Sequence, residues 1–287
     1  MPRPRVAIAT SARGLEWDVD LTPLLGALAA IGIDGRAARW DNPDESWDDD
    51  LVVIRSTWDY VDRLEEFLGW VEGVPHLANP ADIIAWNTDK RYLCDLATVG
   101  VPVVPTSWVE VGAPAAFPAV EFVVKPVVGN GARDAGRFAP GEDDLAQALI
   151  DRLHATGRVA MNQPYLPLVD ALGEVGVIVL GGEVSHSIRK GARLVHAGGR
   201  PTPLAGDEGI VATVASDDEL RVAAQVLEAV PGGGQRLLYA RVDLAPGPDG
   251  SPLLMELEAT EPALFLHHRD GSAERLARAI GERLATG

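Results

Sequence analysis

The chain has 287 residues, nearly half of them hydrophobic and none in a low-complexity tract, so it can bury a large core as one big domain or about two smaller ones. A net charge of −17 excludes nucleic acid or an anionic membrane surface as the main partner, although a few local lysines and arginines suffice to hold phosphates. The single cysteine, Cys94, cannot form an internal disulfide, no signal peptide precedes the first apolar run, and no segment nears the ~20 apolar residues of a membrane span, so a cytoplasmic protein is expected.

Residues 5–10 are a short apolar run of the kind that forms a buried parallel strand. Residues 21–31 read as a helix, with Asp20 or Thr22 available as cap and Gly32 as stop. Strands follow at 34–40 and 51–54, then a helix at 65–71, which together predict a small α/β domain with a largely parallel sheet. Ligands of such sheets sit beyond the carboxyl ends of the strands, where two segments fall: 11–14, containing Arg13, and 55–60. The second gathers Arg55, suited to a carboxylate, Ser56 and Thr57 for polar ends, and Trp58 and Tyr60 as walls; a capped turn with packed aromatics is the plain alternative.

A Pro-bounded linker at 75–80 opens a new unit near Ala81. Residues 87–90 read as a helix start with Asn87 or Thr88 as cap, and Cys94 as a buried small hydrophobe in the helical run that follows. Residues 121–126 form a strand ending near Lys125, followed by a glycine loop whose exposed N–H groups can cradle an anion, though its spacing is neither a Walker A loop nor a Rossmann fingerprint. A strand at 159–166 contains Gln163, Tyr165 and Leu166. A hairpin at 174–189 carries Glu174 on its first strand and ends in the cations Arg189 and Lys190. His186 within it is expected to be structural, while adjacent His267 and His268 are expected to point apart and to be a poor metal pair. A helix at 217–230 capped by Ser216 precedes the last hairpin, and a helix at 272–284 closes the chain.

That last hairpin, 237–244 and 252–258 joined by the turn residues 246–250, holds the densest chemistry. Alternation places Arg241 with Asp243, and Glu256 with Glu258, so folding brings three carboxylates beside one guanidinium. Carboxylates packed together on an apolar sheet repel and lose hydration unless a cation sits among them, and hard oxygen ligands favour Mg²⁺ or Mn²⁺. The bland alternative is an edge hairpin with its charges in water.

Taken in order, these landmarks resemble the ATP-grasp superfamily of carboxylate–amine ligases across essentially the whole chain. The resemblance implies an α/β (α+β) ATP-grasp fold: a Rossmann-like N-terminal domain (1–80), a central subdomain (81–162) and a C-terminal subdomain (163–287) clamping the nucleotide. It implies ATP contacts from Lys90 and Lys125, an adenine hinge at Gln163, Tyr165 and Leu166, and ribose contact from Glu174. Asp243, Glu256 and Glu258 would be metal ligands, and Arg241 with Arg189 would face the reacting groups. Glu258 departs from the pattern, standing where Asn is usual, and the customary Pro-Gly that follows is replaced by 259–262. Residues 55–60, 87–90 and the pair Glu256 and Glu258 resemble most closely the subgroup that closes O-ureido-D-serine to D-cycloserine in antibiotic biosynthesis.

This implies a cyclo-ligase that uses ATP to activate a carboxylate and then forms a C–N bond within one molecule. Arg13, Arg55, Ser56 and Tyr60 would face its small amino-acid-like substrate. An intermolecular amino acid or peptide ligase and a catalytically silent nucleotide-binding module are the two alternatives. Dimers are common in the superfamily, which makes a homo-oligomer the prior expectation.

Overall fold

The computed structural model describes residues 2–192, 194 and 209–286. Its first layer is a three-stranded parallel sheet, β1 (Arg5–Thr10), β2 (Asp34–Arg39) and β3 (Leu51–Ser56), in the order β2-β1-β3, with α1 (Ala12–Trp17), α2 (Leu21–Ala30) and α3 (Leu64–Gly73) around it. The unbroken apolar runs of β1 and β3 are explained by burial on both faces. Val6 and Ile8 meet Leu24 and Leu28, whereas Ala7 and Ala9 meet Trp40, Phe67 and Val71. The ladder runs on to Thr10 and Ser56, so Arg55 and Ser56 belong to β3 and not to the loop beyond it. The expected loop at 11–14 is instead the start of α1, where the Ser11 hydroxyl accepts from Gly14 N at 3.0 Å. Asp20 stands at the N-cap of α2 but makes no capping bond, because its carboxylate turns toward Arg55 and His267.

Helices α4 (Ala81–Thr88) and α5 (Tyr92–Thr98) correct two expectations. Residues 87 and 88 end a helix and do not cap one. The Asn87 amide is committed elsewhere: Nδ2 donates to Leu257 O (2.8 Å) and Oδ1 accepts from Ala259 N (2.8 Å). Cys94 is exposed, since α5 buries Tyr92, Leu93 and Leu96 and leaves the sulfur outside, where the Trp108 indole N–H donates to it at 3.0 Å.

A four-stranded antiparallel sheet follows, β4 (Ser107–Val109), β5 (Phe122–Pro126), β6 (Gly136–Phe138) and β7 (Ala160–Pro164), in the order β4-β7-β5-β6, backed by α6 (Asp143–His154). The short α7 (Leu168–Leu172) leads to the largest sheet. There β8 (Glu174–Leu180), β9 (Glu183–Lys190), β10 (Ile210–Thr213), β11 (Tyr239–Pro246) and β12 (Pro252–Glu258) lie antiparallel in the order β10-β9-β8-β11-β12. Between β10 and β11, α8 (Asp217–Glu228) begins with a full capping box, Ser216 and Glu219 satisfying each other's backbone N–H. The chain closes with α9 (Ser272–Thr286).

Packing crosses the boundaries expected at 80 and 162. One face of the large sheet, through Val175, Val177, Val242 and Leu257, buries α8 together with Ile83 of α4 and Tyr92 and Leu93 of α5. Part of the other face, through Ile178 and Ile188, shares a core with β1, α2 and α9. Asn79 fastens this seam: Nδ2 donates to Tyr239 O (2.9 Å) and Ala259 O (2.7 Å), and Oδ1 accepts from Leu238 N (2.7 Å). Asn79→Ala leaves three buried backbone groups unpaired and is expected to destabilise the fold by about 3 kcal/mol in a denaturant titration. A loss below about 1 kcal/mol would contradict the anchoring role.

Candidate active site

Register builds the site. On β11 and β12, Arg241 lies opposite Glu258 and Asp243 opposite Glu256; on β8, Arg241 lies opposite Ile178 and Asp243 opposite Gly176. The four charged side chains therefore occupy one face. A bulge beyond Asp243 lets Leu254 turn to the opposite, apolar side although its parity matches Glu256. The Arg241 fork donates to both Asp243 oxygens at 2.9 Å, contacts Glu258 through Nη2, and donates from Nη1 to Ala263 O at 2.8 Å. Gly176 makes this approach possible, since a Cβ there would stand 2.9 Å from Asp243 Oδ1 and 3.3 Å from Arg241 Cδ.

Lysines complete the face. Lys190 Nζ is 2.8 Å from Asp243 Oδ2 and 3.4 Å from Glu174 Oε2, while Lys90 Nζ is 2.9 Å from Glu256 Oε1 and donates to Gly129 O at 2.7 Å. Lys125 is different: its contact is the Met255 sulfur at 3.9 Å, and among the described residues no carboxylate lies within ion-pair distance of it. Burial accordingly lowers its pKa. These lysines can hold phosphate, and Asp243, Glu256 and Glu258 offer the hard oxygens Mg²⁺ takes. The donor chemistry fits, but in this conformation the carboxylates are turned onto Arg241, Lys190 and Lys90. Among the described residues no three acidic, histidine or cysteine side chains converge on one metal position.

The residues expected to form a nucleotide hinge, Gln163, Tyr165 and Leu166, lie in and just beyond β7. Gln163 Nε2 donates to Thr106 Oγ1 (2.9 Å), and Leu166 is buried among Val104, Val169 and Ala245. The Tyr165 ring lies under the Arg137 guanidinium at 3.5 Å, and its hydroxyl reaches Asp170 at 2.5 Å. The glycine loop leans on the N-terminal layer, with Asn130 Nδ2 donating to Trp58 O (2.9 Å) and Arg133 Nη1 to Asp62 Oδ2 (2.8 Å). Beneath it a cavity of ≈ 20 Å³ is bounded by Tyr60, Lys90, Asn130, Glu256, Glu258 and Glu261.

Electrostatics separates the carboxylates. Burial works against ionisation of Asp243, but Arg241 and Lys190 outweigh it and hold its carboxyl well below the usual range. Lys90 and Lys125 likewise overcome burial at Glu256. Burial pushes Glu258 up to about 7 against the pull of Arg241, and Glu261 up to about 8 with help from the Glu258 charge.

Several expected residues fall elsewhere. Arg189 points to the opposite side of the sheet from Asp243 and donates to Leu172 O at 2.6 Å; strand parity gives the place beside the carboxylates to Lys190. Arg13 is exposed and stacks on Trp17 at 4.0 Å. Ser56 is buried, its hydroxyl 2.6 Å from Thr10 Oγ1, and Tyr60 packs on Phe67 at 4.9 Å while bounding the cavity. Arg55 is buried between Asp18, Asp20 and Pro262 O. His186 is structural, with Nε2 at 3.0 Å from Leu264 O and burial lowering its pKa. His267 and His268 do not point apart: their ring centres are 4.5 Å from each other, and His267 Nδ1 sits 3.0 Å from Asp20 Oδ1. Sequence reasoning missed Asp18 and Glu261 and read Asp20 only as a helix cap. It noted Lys190 only as a cation, although its pairing with Glu174 across the hairpin was the available signal.

Residues 6–79 match the family model described as D-cycloserine synthetase DcsG, N-terminal domain. The chain is 38% identical to the cycloserine biosynthesis protein DcsG of Streptomyces lavendulae, over 97% of this chain and 98% of that one. The crystal structure of D-cycloserine synthetase DcsG aligns with a TM-score of 0.91 at 36% identity, covering 98% and 99% of the two chains. A D-alanine--D-alanine ligase from Bacillus anthracis complexed with ATP shares the fold at a TM-score of 0.66 and 15% identity, over 99% and 98% of the chains.

Glu261 gives a test of the buried charge. Its folded-state pKa of about 8 lies above the ordinary 4.5, so the folded protein keeps a proton that the unfolded chain releases between those values. Its contribution to stability is therefore lost as pH rises from about 4.5 to 8. Metal-free Glu261→Gln should gain thermal stability relative to the parent progressively from pH 5 to pH 8. A difference that does not change with pH would refute the assignment.

Proposed function

The chain belongs to the D-cycloserine synthetase family of ATP-grasp ligases, and from that premise we propose that it closes O-ureido-D-serine to D-cycloserine, releasing ADP. The observation that carries the reading is the whole-length relationship to DcsG, combined with a charged sheet face on which Arg241, Asp243, Glu256 and Glu258 meet Lys90 and Lys190, with Lys125 nearby. A carboxylate is a poor electrophile and ATP's γ-phosphate is itself anionic, so the first requirement is to neutralise charge where two anions meet. Lys90, Lys125 and Lys190 serve that end by holding phosphate oxygens, Gln163, Tyr165 and Leu166 frame the adenine, and Glu174 takes the ribose. Asp243, Glu256 and Glu258 would hold Mg²⁺, or Mn²⁺, which when bound neutralises the phosphates during transfer.

The substrate carboxylate takes the phosphoryl group and becomes an acyl phosphate. The ureido nitrogen bonded to the side-chain oxygen then attacks the acyl carbon, the C–O bond to phosphate breaks with loss of inorganic phosphate, and the nitrogen gives up its proton. That ring nitrogen still carries the carbamoyl group, so water must cleave the N–carbamoyl bond, releasing carbamate that falls to CO₂ and NH₃, to leave the N–H of D-cycloserine. Arg241, fixed by Asp243 and Ala263 O, stands where the tetrahedral oxyanion develops. Attack within one molecule asks the site mainly to fold the substrate. The glycine loop seated on Trp58 and Asp62 excludes water that would hydrolyse the intermediate.

Supplied with ATP, Mg²⁺ and O-ureido-D-serine alone, the protein should release ADP and form D-cycloserine. Release that begins only on adding a separate amine would refute the cyclisation and favour an intermolecular ligase. Glu256→Gln should lower turnover by at least about 100-fold with an unchanged circular dichroism spectrum, from loss of an electrostatic contact at the transferring phosphate. Near-normal turnover in that variant would contradict the role given to Glu256.

A further inference from the structure

At the carboxyl ends of β1 and β3 lies a buried polar cluster that the mechanism above does not use. Arg55 is 2% exposed and the Asp18 side chain 4%, yet each keeps one polar atom without a hydrogen-bond partner among the described residues, Arg55 Nε and Asp18 Oδ2. Their other atoms are occupied. Arg55 Nη1 donates to Pro262 O at 2.8 Å, Nη2 lies 3.6 Å from Asp18 Oδ2 and 3.5 Å from Asp20 Oδ2, and Asp18 Oδ1 accepts from Asp20 N at 3.1 Å. Asp20 is shared between Arg55 and His267. A buried donor and a buried acceptor left open on neighbouring side chains are costly in a folded protein, and such exceptions ask for a ligand or water.

We infer that Asp18 and Arg55 recognise the ureido group of the substrate. The two open atoms have opposite hydrogen-bonding sense, which excludes the other ends of an amino acid. A carboxylate only accepts and cannot satisfy Asp18; an ammonium only donates and cannot satisfy Arg55. A urea offers a carbonyl oxygen to Arg55 Nε and an NH₂ group to Asp18 Oδ2 in one plane. The expectation that Arg55 suits a carboxylate is thereby revised, because Asp18 and Asp20 already offset its charge. The location agrees. Arg55 is held by Pro262 O and Arg241 by the next carbonyl, Ala263 O, so the ureido end sits beside the arginine that faces the carboxyl end, as ring closure requires. Both open atoms lie under the surface here, so a ligand reaches them only when the covering chain shifts.

The inference rests on the cyclo-ligase reading, and two substrates separate the two. O-ureido-D-serine carries the carbamoyl group, whereas O-amino-D-serine lacks it and keeps the ammonium and carboxylate. In Asp18→Asn, KM for O-ureido-D-serine should rise about 10- to 100-fold, while KM for ATP and for O-amino-D-serine stays near the parent's value. An unchanged KM for O-ureido-D-serine, or an equal loss on both substrates, would overturn the ureido assignment and leave the cyclo-ligase reading intact. If the parent turns over neither compound, the cyclo-ligase reading falls. Hydroxyurea, the ureido end alone, then decides the subsite by calorimetry: binding to the parent that is lost in Asp18→Asn supports it, and no binding to the parent overturns it.

Discussion

The register of β11 against β12 and β8 is the constraint on which the rest depends. It sets Arg241 opposite Glu258 and Asp243 opposite Glu256, with Gly176 leaving the room that the guanidinium–carboxylate fork needs. A slip of one residue would turn these charges into the apolar layer beneath α8 and bring Val242 and Leu257 to the polar face. The bulge beyond Asp243 belongs to the same device, since it reconciles Glu256 on one face with Leu254 on the other. Asn79, Asn87 and Tyr92 then lock the strand ends, because their side chains satisfy backbone groups of Leu238, Tyr239, Leu257 and Ala259.

Charge on this face is organised as interleaved pairs. Lys190 and Arg241 flank Asp243, Lys90 meets Glu256, and Lys125 has no carboxylate within ion-pair distance among the described residues, which agrees with the phosphate contact proposed for it. Buried ion pairs return little net stability, because desolvation offsets much of the Coulomb attraction. Under the proposed function their placement has a use: Lys90 and Lys190 would exchange a carboxylate for a phosphate oxygen. Glu258 and Glu261, pushed up to about 7 and about 8 by burial, show where an ionised carboxylate is most costly on this face. Glu258 is also where the chain departs from the ATP-grasp pattern it resembles.

Much of this was legible in the sequence, for physical reasons. The last hairpin could be read because a turn-rich pentapeptide fixes its closure and a period of two fixes its faces. The α/β N-terminal layer could be read because doubly buried strands are continuous apolar runs. What failed depended on partners distant in sequence. Choosing between Arg189 and Lys190 needs the register of β9 on β8, which shifts at Ile178. Asn87 looked like a cap because nothing local shows that its amide is spent 170 residues away on Leu257. Cys94 was placed inside because a seven-residue helix does not declare which side a neighbour covers. Asp18 was missed, and Asp20 read only as a cap, because their pairing exists only once β3 sets Arg55 between them and Pro262.

The proposed chemistry requires this face to take up a divalent cation with the nucleotide. Calorimetric titration of Mg²⁺ into the protein saturated with a non-hydrolysable ATP analogue is the direct measurement, made on the parent and on Asp243→Asn. Saturable uptake by the parent that weakens by at least about 10-fold in the variant is the predicted result. Equal affinity in both proteins would contradict it.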